Sequence, residues 1–100
     1  MKLGILINTD RHADDIVGIT KSALSKGHEV SMFMMDDGNK LLGNPAVTGL
    51  SDEAGVSMSF CDHSAQKLGI SKDGIPEKIG CGSQFDNANM NSQADRVIVL

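Results

Sequence analysis

Val56-Ser57-Met58-Ser59-Phe60-Cys61-Asp62-His63-Ser64-Ala65 is the stretch that decides the fold. Val56, Met58 and Phe60 alternate with small serines, the two-residue period of a β-strand. The period breaks at Cys61, and Asp62 to Leu68 follow as a short helix that Gly69 stops. A strand that runs directly into a helix is the unit of an α/β sheet. It also places a thiol at a helix N-terminus, where unpaired N–H groups and roughly half a positive charge favour a thiolate. In open α/β sheets that end of a strand is where ligands bind.

The same alternation extends in both directions. Upstream, Asn44-Pro45 opens a helix with Asn as N-cap and Pro at N1, Val47, Leu50 and Ala54 line its inner face, and Gly55 ends it. Before it, His28 to Met35 is a strand closed by Asp36-Asp37-Gly38. Ile16, Ile19, Thr20, Ala23 and Leu24 recur at helical spacing, with Gly27 just past the end. Leu3 to Ile7 is a near-continuous apolar run, as in a strand buried on both faces. Downstream, Gly69, Gly74, Pro76, Gly80 and Gly82 predict a loop over 69–83 with at most one helical turn. Ser83-Gln84-Phe85-Asp86 resembles a capping box that opens a last helix, poor in helix formers, and Arg96 to Leu100 is a final strand. The order β-α-β-α-β-α-loop-α-β predicts one domain over 1–100: a three-layer α/β/α arrangement with a mostly parallel sheet, right-handed crossovers and helices on both faces.

Composition excludes several classes of function. Net charge is −4 with no cluster of Lys or Arg, which argues against nucleic acid or an anionic membrane as partner. No apolar run approaches the ~20 residues that cross a bilayer. The stretch Met1 to Asn8 is too short in apolar residues for a signal peptide, so a cytoplasmic location is expected, with both cysteines as thiols. Phosphate-binding GxxxxGK[ST] and GxGxxG motifs are absent, and Cys61 stands where a phosphoacceptor domain would carry aspartate. No cofactor is expected. The core has no Trp or Tyr and three Phe, so it must be built from aliphatic residues and Met.

Cys61 is the candidate reactive group, with burial as a small hydrophobe the competing role. His63 lies two residues on and would support a thiolate, whereas the Asp62 carboxylate opposes it. Cys81 is a second thiol in the glycine-rich segment, either meeting Cys61 as a resolving thiol or packing under its own loop. Arg11 and His12 follow the first strand on the same sheet edge as Cys61 and are candidates for orienting a substrate, while Asp10 suits a helix cap. His28 lies at the opposite edge and is structural. Cys61, His63 and Cys81 are too irregularly spaced for a recognisable metal motif, and no metal site is assigned.

Three segments carry a resemblance to a known family. They are Met34-Met35-Asp36-Asp37-Gly38, the run Val56 to Ile70 around Cys61, and Gly82-Ser83 to Ala94-Asp95-Arg96-Val97-Ile98. Together the chain resembles the DsrE/DsrF-like family, which includes the DsrE/TusD-type sulfur carriers. The resemblance implies a flavodoxin-like α/β domain that assembles into oligomers. It also implies that Cys61 accepts sulfane sulfur as a persulfide and passes it on, between donor and acceptor proteins. The family's Arg before the glycine is Leu68 here, and Cys81 matches no family motif. The expectation is a small cytoplasmic sulfurtransferase-like carrier. Its alternatives are a non-catalytic oligomeric scaffold that buries Cys61, and a redox switch that pairs Cys61 with Cys81.

Overall fold

A computed structural model describes residues 1–100. Five strands form one sheet: β1 (Lys2–Ile7), β2 (Glu29–Met34), β3 (Val56–Cys61), β4 (Ile79–Gly82) and β5 (Arg96–Val99). Their order across the sheet is β4-β3-β2-β1-β5, and every pairing is parallel. The helices are α1 (Ala13–Ser25), α2 (Pro45–Thr48), α3 (Asp62–Leu68) and α4 (Gln84–Gln93). Two 3-10 segments, Asp36–Gly43 and Gly49–Asp52, flank α2.

The layering follows from the strand order. From β1 the chain steps to β2, β3 and β4 in one direction, so right-handed crossovers place α1, α2 and α3 on the same face. The step from β4 back to β5 reverses direction and puts α4 on the opposite face. The burial pattern agrees. Ile5, Ile7, Val30, Met32, Met34, Met58, Phe60 and Ile79 pack with Ile16, Leu41, Val47 and Ala65 in the main core. The other side of the sheet carries a smaller cluster of Phe33, Cys61 and Met90. Phe60 is 2% exposed. Full burial of a side chain of that kind stabilises by about 1.5–3 kcal/mol.

Local chemistry explains most boundaries. Asn44 caps α2 by accepting from the Ala46 N–H at 3.0 Å. Gly69 takes φ of 69° at the end of α3, and the Ile70 N–H returns to the Ala65 carbonyl. Ser83 and Asp86 form a complete capping box at the start of α4, which secures a helix whose interior asparagines favour it little.

Three expectations are corrected. The segment 69–83 is not all loop, because Ile79–Gly82 pairs with β3 as an edge strand. Four residues with two glycines carry too little periodicity to declare a strand, and the pairing comes from tertiary contact instead. The helix opened by Pro45 is α-helical only to Thr48 and continues as 3-10 turns to Asp52, leaving Ala54 exposed. Asp10 does not cap α1. The N-cap is His12, which makes no side-chain capping bond.

Candidate functional site

β3 and β4 are neighbours, but their helices leave toward opposite faces of the sheet. A crevice therefore opens outside their C-terminal ends, the place where open α/β sheets bind ligands. Here it is a cleft of about 620 Å³ lined by ten residues, among them Cys61, His63, Ser64, Gly82, Ser83 and Gln84. Met35 and Asp36, just past β2, form another wall.

Cys61 ends β3 and is the N-cap of α3, with extended backbone angles of −80° and 114°. It is 3% exposed. Burial pushes its thiol upward, because the anion loses water. Hydrogen bonding pulls the other way and wins. The Ser64 hydroxyl and N–H, the Gln84 side-chain amide and the His63 N–H are the nearby donors that favour the anion, and the thiol lies below its ordinary value, although Cys61 accepts no capping bond within hydrogen-bond distance. Gln84 also touches Met35, its Nε2 lying 3.8 Å from the thioether sulfur. No lysine or arginine lines the cleft, and Asp36 and Asp62 do.

The sequence candidates fall into two groups. Cys61 and His63 share the cleft, but it is the His63 main-chain N–H that favours the thiolate, and its side chain is exposed. Arg11 and His12 stand at the end of β1 and do not line the cleft. Both are exposed, and His12 Nδ1 lies 3.6 Å from Asp15 Oδ2. His28 sits at the far edge of the sheet, with its Nδ1 3.2 Å from the N-terminal amine of Met1.

Cys81 is on β4, in register with Phe60. Residues paired across parallel strands share a face, so Cys81 points to the main-core side and Cys61 to the α4 side. Both thiols are free. Cys81 neighbours an ion pair between Lys72 and Asp62. Burial and the Asp62 carboxylate push the Cys81 thiol up, against the pull of Lys72. The Lys72 ammonium holds Asp62 below the usual carboxylate range, and Asp62 in turn raises Lys72. Nowhere do three His, Cys, Asp or Glu side chains gather closely enough to hold a metal ion.

Ser64 and Gln84 are the functional neighbours that sequence reasoning missed. Ser64 stands three residues after Cys61, the spacing at which a helix-capping partner reaches back, and that was its one signal. Gln84 reaches the sulfur only because β4 pairs with β3, and nothing local announces it.

A family model described as "DsrE/DsrF-like family" matches residues 1–100. No match is found among curated proteins. Among solved structures, the chain is similar to the ychN protein from E. coli, with 13% identity, full coverage of both chains and a TM-score of 0.76. It is also similar to MTH1491 from Methanobacterium thermoautotrophicum, described as a protein of unknown function, with 13% identity, 99% and 98% coverage and a TM-score of 0.77. No helix of the chain is long and apolar enough to cross a membrane.

Proposed function

The chain belongs to the DsrE/DsrF-like family, and on that premise we propose that it is a small sulfur-relay protein whose carrier group is Cys61. The observation that carries the reading is the place of Cys61, which ends β3, opens α3 and lines the cleft with Ser64, Gln84 and His63, whose donors offset the cost of burying its anion. In the proposed step the Cys61 thiolate attacks the outer sulfur of a sulfane donor. A new S–S bond forms at Cys61, the donor's S–S bond breaks, and the donor leaves as its thiolate. The proton on the transferred sulfur stays with it, and no outside oxidant or reductant is needed. The same donors that favour the thiolate also favour the persulfide anion. The step is reversed when a thiolate of an acceptor attacks the outer sulfur of the Cys61 persulfide.

Donor and acceptor are proposed to be proteins, with neither nucleic acid nor membrane as partner. Net charge of −4 and a cleft without lysine or arginine support that. Self-association and a cytoplasmic setting belong to the same proposal. Phe85, 72% exposed in the first turn of α4, and Val99, 57% exposed on the edge strand β5, supply apolar surface for association.

Discharge provides the test. Protein loaded with polysulfide and freed of excess reagent is treated with cyanide, which removes sulfane sulfur as thiocyanate. The proposal expects stoichiometric thiocyanate from wild type and from Cys81→Ser, and none from Cys61→Ser. Equal yields from Cys61→Ser would overturn it.

A further inference from the structure

Asn39 is fully buried, yet half of its amide goes unused. Its Nδ2 donates to the main-chain carbonyl of Cys61 at 2.9 Å, while its Oδ1 has no hydrogen-bond partner in the chain. Buried polar atoms are normally paired, and an apolar residue of similar volume would leave no acceptor stranded here. What Asn39 supplies is the donor to Cys61.

Its neighbours in the turn point the same way. Asp36 holds φ of 48°, a left-handed conformation that non-glycine residues adopt rarely. Backbone strain of this kind persists only where the surroundings enforce it. The enforcement comes from Gly38, where a Cβ would overlap the carbonyl oxygen of Ile7, so the turn lies directly against the end of β1. Held there, the Asp36 N–H donates to Ser64 Oγ at 3.1 Å.

We infer that the turn of residues 36–39 is a positioning arm for the Cys61 thiol, and that Asn39 is its principal positioning residue. Two effects follow from the geometry. Ser64 Oγ accepts from Asp36, which leaves its hydroxyl hydrogen free to donate to the Cys61 thiolate. The Asn39 amide draws the partial negative charge of the Cys61 carbonyl away from that sulfur. It also fixes the peptide that joins Cys61 to the first turn of α3, and with it the placement of the thiol at the helix start. The inference deepens the sulfur-relay reading, since it rests on Cys61 as the reacting thiol.

The test is the pH dependence of Cys61 alkylation by iodoacetamide, read site by site by mass spectrometry in wild type and Asn39→Leu. Asp36, Asp62 and His63 line the same cleft and are unchanged in this variant. The arm predicts a folded Asn39→Leu whose Cys61 profile moves to higher pH, with the rate at neutral pH lowered about tenfold. Asp36→Gly keeps the N–H, and its profile stays with wild type. A folded Asn39→Leu with an unchanged profile would overturn the inference. Should Asn39→Leu not fold, Asn39→Ser adds no bulk and repeats the measurement. Failure of both to fold would make Asn39 a residue of core stability and overturn the inference as well. Alkylation needs no sulfur uptake, so this result stands apart from success or failure of the polysulfide experiment.

Discussion

Cys61 and Cys81 stand on adjacent parallel strands one residue out of register, and their side chains leave the sheet from opposite faces. Strands lie about 4.8 Å apart, so the backbone spacing alone would suit a disulfide. The direction of the two Cβ atoms does not, because a bridge needs them to face each other. The geometry thus contradicts a Cys61–Cys81 redox switch. Mild oxidant should produce no intramolecular disulfide in native protein, measured as no loss of two hydrogens by intact mass. A reversible loss of that size without dimerisation would contradict the assigned register.

The two thiols are tuned in opposite senses, which predicts an order of reaction. Cys61 lies below the ordinary thiol value and Cys81 above it. Site-resolved alkylation should begin at lower pH for Cys61. Stability carries the same signs. Between the lowered folded value of Cys61 and its ordinary value, the unfolded chain binds more protons, so Cys61 adds stability as pH rises through that window, and the gain is lost as pH falls. For Cys81 the folded chain binds more protons above the ordinary value, so its contribution is lost as pH rises through the raised value. Unfolding curves of Cys61→Ser and Cys81→Ser against wild type across alkaline pH should diverge in these opposite directions.

Ser64→Ala removes one hydroxyl donor and leaves the main-chain N–H donors in place. A donor to the anion is lost, so the Cys61 thiol should rise toward its ordinary value. The alkylation profile measures it directly. The buried site of Ser64 tolerates the smaller residue, and its thermal transition should stay cooperative.

Phe60 is the core counterpart of Cys61, its neighbour on β3 and buried on the opposite face. Phe60→Ala should cost about 3–5 kcal/mol. Against the roughly 5–15 kcal/mol that holds small domains together, that is a large share. Urea unfolding should show a much lower midpoint with a similar slope.

The alternation of Val56, Met58 and Phe60 with serines made β3 legible, and with it the parallel sheet and the placement of Cys61. Caps were legible for the same reason: Asn44, Ser83 and Asp86 act on their own neighbours in sequence. β4 was not legible, since Ile79-Gly80-Cys81-Gly82 has almost no side-chain pattern and owes its strand to pairing with β3. Asp36-Asp37-Gly38 was legible as the end of β2, but the packing of Gly38 on the Ile7 carbonyl and the bond from Asn39 to Cys61 were not, since both are contacts across the fold. Arg11 and His12 were placed on the correct edge of the sheet, but β2 stands between β1 and β3, and the cleft opens past β2, β3 and β4. Sequence gave no such order.

Brief exposure of reduced native protein to polysulfide, followed by intact-mass spectrometry, tests the central claim most directly. Wild type and Cys81→Ser should gain whole sulfur atoms, and Cys61→Ser should gain none. Uptake that appears only after unfolding would contradict the claim and make Cys61 a packing residue of an oligomeric binding module.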